Sequence, residues 1–208
     1  QAEHALVKDL LPISGRRVLA VGCGYGRLAD CCLDRFQQVV MLDGSLSLLQ
    51  KAQENTAGRA VYIAGDLQHI PFRRGSFDSL VMVRVFHHVR DSRACLAEIH
   101  RLLCSGGKLV ITYRNKLYLV AVIKWLAHPT ADSPFSLEPS GAGTTLLAHH
   151  PTHINTLLHE TGFEDLQYRG LGILDRLANI MGVFGKYAPT GRRLAPLLGK
   201  QKIAPWIF

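Results

Sequence analysis

The chain has 208 residues, of which 48% are hydrophobic and 19% are charged, and this composition excludes a disordered or low-complexity protein. Its 24 Lys and Arg residues against 16 Asp and Glu give a net charge of +8, and its five cysteines form no C-x-x-C pair. The cysteine pattern predicts neither a disulfide framework nor a metal site and is typical of a reducing compartment. No apolar run approaches the ~20 residues that a membrane span needs. We therefore expect a single cytoplasmic domain over residues 1–208.

The first part of the chain alternates β-branched runs with helical patterns, which is typical of βαβ units and a parallel sheet. Predicted strands cover 17–21, 39–42, 61–64, 80–85 and 109–112. Helices are predicted over about 27–35, from Leu46 through Ala52, and from an N-cap at Asp91 to a stop at Gly106-Gly107. The order of these elements predicts a doubly wound α/β fold.

After Tyr113 the pattern changes. We interpret residues 114–151 as a small helical cap inserted into the domain, and name them the cap segment. A basic stretch over about 172–202 then precedes the last strand. The remaining predicted elements are an apolar helix at 116–128, a loop at 129–143, a helix at 152–161, and strands at 165–171 and 202–208.

Three glycines follow the first predicted strand, in the run Val18-Leu-Ala-Val-Gly22-Cys23-Gly24-Tyr25-Gly26. Glycine lets the backbone turn sharply and approach a ligand closely, and the next helix N-terminus favours an anionic group. The spacing is G-x-G-x-G, whereas dinucleotide-binding proteins have G-x-G-x-x-G. The run therefore predicts a ligand site and argues against a nicotinamide-dependent oxidoreductase.

Two acidic residues end the next two strands. Asp43 closes the second strand, where a carboxylate can accept hydrogen bonds from ribose hydroxyls, and Asp66 closes the third, where it can accept from an adenine amino group. Parallel strands place both acids and Gly22 at the carboxyl edge of the sheet, where open α/β sheets bind ligands. Together the three predict a nucleoside site.

With these motifs the sequence resembles the class I S-adenosylmethionine-dependent methyltransferases, especially the small-molecule group that includes the ubiquinone and menaquinone methylases. The resemblance implies a mostly parallel, Rossmann-like sheet of seven strands, whose last strand, 202–208, runs antiparallel. The matching stretches are VLAVGCGYGRLAD (18–30), VVMLDGSLSLLQKAQ (39–53), GDLQHIPFRRGSFD (65–78), VFHHV (85–89), AEIHRLLCSGGKLVIT (97–112) and HHPTHINTLLHETGFE (149–164).

The resemblance also implies S-adenosylmethionine as the cofactor and a role for each matching residue. The methionine part would be held by Gly22, Cys23, Gly24 and Gly26. The ribose would be held by Asp43 with Gly44 and Ser45 beside it, and the adenine would be flanked by Asp66 and Leu67. The backbone at Arg84 would face the amino-acid end of the cofactor.

Two positions depart from the family pattern. Ala20 stands where the family usually has an acid that supports the glycine loop, so we expect weaker cofactor binding. Arg84 stands where a small or polar residue is frequent, which leaves the role of its side chain open.

Histidines are the candidates for proton transfer and for acceptor contact. The pair His87-His88 fits a general base, but the family pattern has a structural histidine at the position of His88, and we favour that interpretation. We name His88, His149 and Trp125 as candidate acceptor contacts. His149 and His153 have the i, i+4 spacing of helical metal ligands, but no carboxylate or cysteine partner is evident, and we predict no metal.

We interpret the chain as a methyltransferase in which a nucleophilic acceptor atom attacks the sulfonium methyl group and S-adenosylhomocysteine is released. Positioning in a water-poor pocket supplies much of the rate, so the sequence identifies no catalytic residue. The alternative is a regulatory or assembly protein that binds the cofactor or its product without catalysis. Nucleic acid is not an expected partner, since no DNA-methylase motif or RNA-binding module is present.

The acceptor is predicted from the cap segment and the tail. The helix at 116–128 is apolar around most of its circumference, so it either packs against the sheet or covers the acceptor site. Residues 172–208 carry six basic side chains and one acid, which form either a solvated face or a contact with an anionic membrane surface. We expect a lipophilic or aromatic small-molecule acceptor, bound in a pocket lined by Leu, Val and Trp.

Overall fold

A parallel β-sheet organises the structure, a computed structural model that describes residues 2–67, 69–141, 146–170 and 201–207. The helices are α1 (Ala2–Leu10), α2 (Asp30–Leu33), α3 (Leu46–Asn55), α4 (Ser92–Leu102), α5 (Leu119–Ala127) and α6 (Pro151–Glu160), with a 3-10 helix at Phe86–His88. The strands are β1 (Gly15–Val21), β2 (Phe36–Asp43), β3 (Val61–Ala64), β4 (Phe77–Met82), β5 (Leu103–Asn115), β6 (Ala148–His149), β7 (Phe163–Glu164), β8 (Arg169–Gly170) and β9 (Gln201–Ile207).

The strand order β3-β2-β1-β4-β5-β9-β7 gives a main path of seven strands, with β6 beside β5 and β8 beside β9. All of these pairs are parallel. The predicted doubly wound α/β fold with a mostly parallel, Rossmann-like sheet is therefore confirmed.

One feature of the prediction is wrong, because the last strand runs parallel to β5 and not antiparallel to it. Lys108 of β5 is paired with Lys202, and Tyr113 with Ile207. A parallel connection needs a crossover of roughly a dozen residues or more, and residues 171–200 are enough chain for one. The predicted basic stretch, 172–202, lies outside the described residues except for its end in β9.

The sheet is covered on both faces because its strands are apolar on both sides. Leu19 and Val21 of β1 face a core that contains the apolar side of α4 and α6. Val18 and Ala20, which alternate with them along the strand, face a second core with α1 and α2. Strands buried on both faces are typical of parallel sheets, and this layering leaves the carboxyl edge as the open place for a site.

Several predicted boundaries move in the structure. The helix expected at 27–35 is reduced to Asp30–Leu33, because i→i+3 hydrogen bonds from Gly26 to Cys23 and from Ala29 to Gly26 form tight turns before it. Strand 80–85 is shifted to Phe77–Met82, and strand 165–171 is replaced by the short β7 and β8.

The glycine pair at 106–107 does not end a helix. Helix α4 begins with Asp91 as its N-cap, as predicted, but it ends at Leu102. Both glycines lie inside β5, next to a register shift against β4 between Phe77 and Ser79, and Gly106 has φ +75°. A positive φ beside a shift in register is the geometry of a β-bulge, which explains the two glycines.

Helix α5 is not buried against the sheet. Three of its apolar side chains, at i, i+4 and i+7, are exposed to 48% (Leu119), 55% (Ile123) and 63% (Leu126). The interpretation of this helix as a core helix is therefore wrong. Within the described part of the chain, no helix combines the length and apolar character needed to cross a bilayer.

Candidate functional site

The glycine loop after β1 turns through three left-handed positions, with φ values of +60° at Gly22, +55° at Gly24 and +80° at Gly26. Glycine adopts this conformation without the strain that other residues incur. At Gly22 a side chain is also excluded by packing, since an added Cβ would lie 2.3 Å from Val85 Cγ2. The loop is thus held close against the end of β4.

Asp43 fixes this loop against the end of β2. One carboxylate oxygen accepts a hydrogen bond from the backbone N–H of Gly24 at 2.7 Å, and the other accepts from the N–H of Ser45 at 2.9 Å. Ser45 is the N-cap of α3 and accepts from the N–H of Leu48. Each carboxylate oxygen has a second acceptor position, so Asp43 can orient the loop and still accept from a ligand.

A second part of the edge is formed where β2 and β3 end. Gly44, Gly65, Asp66 and Leu67 line an open pocket of about 390 Å³. The predicted ribose neighbour Gly44 and the predicted adenine neighbours Asp66 and Leu67 therefore surround one space. Since Asp43 connects Gly44 to the glycine loop, the predicted residues from Gly22 to Leu67 form one continuous surface.

The glycines of this surface leave room for a ligand. A Cβ added at Gly24 would meet no atom within 4 Å, and one added at Gly44 would meet only the carbonyl oxygen of Gly65, at 3.9 Å. Steric contact with the rest of the protein therefore does not exclude a larger side chain at these two positions. Both positions lie beside polar backbone groups and a carboxylate. A cradle of this kind fits a nucleoside cofactor that contacts the backbone directly.

Cys23 lies in the same loop, but its thiol is not a nucleophile. Burial raises the pKa of the Cys23 thiol to about 12, and the nearby Asp43 carboxylate acts in the same direction. Because the thiolate is the reactive form, Cys23 remains neutral near pH 7. Its contribution is the shape of the loop and a backbone hydrogen bond from its N–H to Leu42.

Arg84 follows β4 with φ +61°, and its side chain points to helix α1. Its backbone N–H donates to Thr112 Oγ1 at 2.7 Å, and its Nε donates to Glu3 Oε1 at 3.0 Å. The other oxygen of Glu3 lies 2.6 Å from a guanidinium nitrogen of Arg27. Glu3 therefore connects the segment after β4 with the glycine-loop segment.

The sequence reasoning missed Glu3 because it assigned no helix to residues 2–10. The signal was present, since Val7 and Leu11 are one helical turn apart and both are buried. Glu3 itself is only 7% exposed. A carboxylate is thus present near the glycine loop although Ala20 replaces the acid expected in β1.

A larger cleft lies past the carboxyl end of β5, and we name it the α5 cleft. Its volume is about 920 Å³. Of the Leu, Val and Trp residues expected around an acceptor, only Trp125 lines this cleft, whereas Leu119, Ile123 and Leu126 of α5 are exposed. The lining residues are Arg114, Asn115, Lys116, Tyr118, Ala121, Lys124, Trp125, His128, Thr130, Asp132, Pro134, Ser140 and Ala148.

Of the three candidate acceptor contacts, only Trp125 lines the α5 cleft. His88 is exposed on the 3-10 helix. His149 is 0% exposed, and neither ring nitrogen has a hydrogen-bond partner among the described residues. Burial, followed by the charges of His153, His87 and Lys116, lowers the pKa of His149 to about 4.

His87, the other histidine considered as a base, is partly buried. Burial and then the neighbouring His88, Arg114 and Arg84 charges lower its pKa to about 4. A base with such a pKa is a weak proton acceptor near neutrality, where catalytic bases have pKa values close to the working pH.

Within the described residues, one group of potential metal ligands lies together, with the ligand atoms of His4, Asp30 and Cys31 within 4.8 Å of one another. Burial, assisted by Asp30, raises the pKa of the Cys31 thiol to about 11, and metals bind the thiolate. These residues join α1 to α2, and we assign them a structural role.

Comparison with known proteins agrees with this geometry. Residues 19–111 match the family described as "Methyltransferase domain". The match begins in β1 and ends in β5, so it includes the glycine loop, Asp43 and Asp66. The predicted resemblance to class I methyltransferases is confirmed.

Individual relatives are similar to this chain over more than residues 19–111. An uncharacterized methyltransferase of Mycobacterium bovis is 30% identical over 130 residues, which cover 59% of this chain and 65% of that protein. A demethylmenaquinone methyltransferase of Clavibacter sepedonicus is 24% identical over 205 residues, 92% of this chain and 81% of that protein. The match thus spans just under two thirds of the first relative and more of the second.

Among solved structures, an S-adenosylmethionine-dependent methyltransferase from Mesorhizobium loti has a TM-score of 0.64 at 22% identity, covering 79% of this chain and 82% of that one. The fold is therefore that of S-adenosylmethionine-dependent methyltransferases, and the predicted cofactor agrees with it.

Proposed function

We propose that this chain is an S-adenosylmethionine-dependent methyltransferase that acts on a small molecule. The observation that carries the proposal is the arrangement at the carboxyl edge, where Asp43 holds Gly24 beside the pocket of Gly44, Asp66 and Leu67. The stretch that matches the methyltransferase family, 19–111, contains all of these residues. Methyl transfer from a sulfonium ion is the chemistry that the cofactor supplies when it is bound.

The residues at the carboxyl edge of the sheet would each bind a different part of the cofactor. Gly22, Cys23, Gly24 and Gly26 would hold the methionine part through their backbone, since the loop carries no bulky side chain there. Asp43 would accept from the ribose hydroxyls, with Gly44 and Ser45 beside it, and Asp66 and Leu67 would flank the adenine. Arg84 would act through its backbone position, because its side chain is engaged by Glu3.

The acceptor binds in the α5 cleft, which opens at the end of β5 on the same edge of the sheet. Trp125 and Tyr118 give this cleft aromatic surface, which supports the expectation of a lipophilic or aromatic acceptor. Several relatives are named for quinone biosynthesis, including a ubiquinone biosynthesis O-methyltransferase of Paracidovorax citrulli. The cleft volume of about 920 Å³ lies within the range of small-molecule sites.

No side chain is assigned as a general base. His88 and His149 do not line the α5 cleft, and His87 has a lowered pKa. The chain then contributes positioning and exclusion of water, which suffices for an acceptor atom that is already nucleophilic.

The test uses S-adenosylmethionine with a tritiated methyl group, incubated with the protein and an extract of small metabolites. We expect tritium in an organic-soluble product, and Asp43→Ala should weaken cofactor binding by about 1.5–3 kcal/mol, the value of hydrogen bonds to a charged group. In calorimetry this is roughly a 10- to 150-fold higher Kd. Binding without any transfer would instead favour the regulatory or assembly protein, and an unchanged Kd would remove Asp43 from the ribose role.

We further propose that α5 contacts an anionic membrane surface. Leu119, Ile123 and Leu126 form an exposed apolar face, and the chain as a whole carries a net charge of +8. A basic residue near anionic lipid contributes about 1 kcal/mol. The wild-type chain should sediment with phosphatidylglycerol vesicles and Ile123→Glu should not; no sedimentation of the wild type at low salt would contradict this.

A further inference from the structure

The charges of the α5 cleft are unbalanced. Among the described residues, three cationic side chains, Arg114, Lys116 and Lys124, line it, and Asp132 is the one carboxylate. Arg114 and Lys116 come from the end of β5, whereas Lys124 projects from α5. Cations from two elements therefore face one space, and this arrangement favours a negatively charged occupant.

Lys116 is the least expected of these cations, because its side chain is only 2% exposed. Its ammonium donates to the carbonyl oxygen of Glu138 at 2.7 Å and lies 3.7 Å from Asp132 Oδ1. The Asp132 side chain is 56% exposed, so water weakens its interaction with the ammonium. Burying a charge costs free energy that one carbonyl and one ion pair to a solvent-exposed carboxylate offset only in part, and an anion in the cleft would offset more of it.

The aromatic wall of the cleft is held in a fixed orientation. Trp125 Nε1 donates to the carbonyl oxygen of Thr130 at 3.0 Å. The Trp125 ring packs edge to face against Phe135, with ring centroids 5.6 Å apart and an interplanar angle of 84°. A Trp ring that is held by a hydrogen bond and by an aromatic contact presents a stable flat surface to an aromatic ligand.

We propose that the α5 cleft takes an aromatic small molecule that carries one anionic group, a carboxylate or a phosphate. The anion lies among Arg114, Lys116 and Lys124, and the aromatic part lies against Trp125. This inference rests on the proposed function, because it names the class of acceptor for the same reaction, and it adds an anionic group to the expected aromatic or lipophilic body.

The experiment compares three probes with the same ring system in calorimetry at saturating S-adenosylhomocysteine: 2-naphthoate, 2-naphthyl phosphate and the neutral 2-naphthamide. An anionic probe should bind at least about tenfold more tightly than the amide, the effect of one charge-assisted hydrogen bond. Tighter binding of the naphthoate assigns the anion as a carboxylate, and tighter binding of the phosphate assigns it as a phosphoryl group. Equal binding of all three probes, or no binding, overturns the proposal.

The variants are chosen so that loss of folding does not imitate loss of binding. Lys124→Met changes an exposed helical residue. It should raise the Kd of the anionic probe roughly 3- to 10-fold and leave the Kd of the amide unchanged. Lys51→Met on α3 makes the same substitution at another exposed helical site and should change neither. If Lys124→Met and Lys51→Met give the same affinities, the charge of the cleft does not select the ligand.

The two proposals fail in different ways. If S-adenosylhomocysteine binds but no anionic probe is preferred, the proposed acceptor class is wrong and the proposed methyltransferase function still stands. If the anionic probe is preferred but S-adenosylhomocysteine gives no heat of binding, the cleft is an anion site and the proposed function is wrong.

Discussion

A substitution at Gly24 can distinguish an effect on cofactor binding from an effect on protein stability. Its φ is +55°, and an added Cβ would meet no protein atom within 4 Å. Gly58, in the turn after α3, has φ +70° and likewise no atom within 4 Å. It precedes β3 and so lies at the opposite edge of the sheet. Gly24→Ala and Gly58→Ala are thus matched in backbone strain and in free space.

The two substitutions should cost the same in folding. An alanine held at positive φ loses about 1–2 kcal/mol, and the reduced freedom of the unfolded chain returns about 0.4–1 kcal/mol. Urea unfolding should therefore show both variants less stable than wild type by roughly 1 kcal/mol.

Cofactor binding should distinguish them. If the free space at Gly24 is the cradle of the cofactor, its new methyl group overpacks that contact at about 1–3 kcal/mol, which is roughly a 5- to 150-fold higher Kd. Calorimetry with S-adenosylmethionine should show this for Gly24→Ala and a wild-type Kd for Gly58→Ala. A wild-type Kd for Gly24→Ala, at equal stability, would refute the placement of the cofactor.

Three other substitutions test the remaining assignments. His88→Gln should lower turnover by less than about tenfold, because we assign His88 a structural role, whereas loss of a general base costs 10²–10⁴-fold. A hundredfold fall in kcat with an intact Tm would show a catalytic role. Since the pKa of His149 is lowered to about 4, the unfolded chain takes up its proton first as pH falls below about 6.5. Titration of His149 alone should then remove roughly 2–3 kcal/mol of wild-type stability between pH 7.5 and 4.5. In urea unfolding, His149→Leu should lose that much less stability over this range than wild type, and an identical loss in the two proteins would contradict the reasoning. Glu3→Gln should lower the free energy of unfolding by about 1–3 kcal/mol, because Arg27 and Arg84 lose their shared carboxylate, and a change within error would show that Glu3 does not tie α1 to the site.

The order of the central elements could be predicted from sequence because each strand is a short apolar run closed by a turn residue. Val61–Ala64 is found where it was predicted, and Asp43 ends its strand as expected. Parallel strands place their ends at one edge, so the shared position of Gly22, Asp43 and Asp66 could be predicted from their spacing, whereas the roles of the neighbouring residues came from the family resemblance.

The errors have a different origin. Helical periodicity could not reveal that residues 23–29 form i→i+3 turns before α2. When a helix is apolar around most of its circumference, its sequence does not indicate which face packs against the protein. The exposure of Leu119, Ile123 and Leu126 could therefore not be predicted from the pattern. Contacts between distant segments, such as Glu3 with Arg84, depend on tertiary packing that local sequence does not encode.

The site itself is tested most directly by hydrogen–deuterium exchange with and without S-adenosylhomocysteine. We predict slower exchange of backbone amides at 22–26, 43–45 and 65–67 when the ligand is bound, and no such change with NAD⁺. Unchanged exchange in these three segments, or protection confined to other parts of the chain, would contradict the assignment of this edge as the cofactor site.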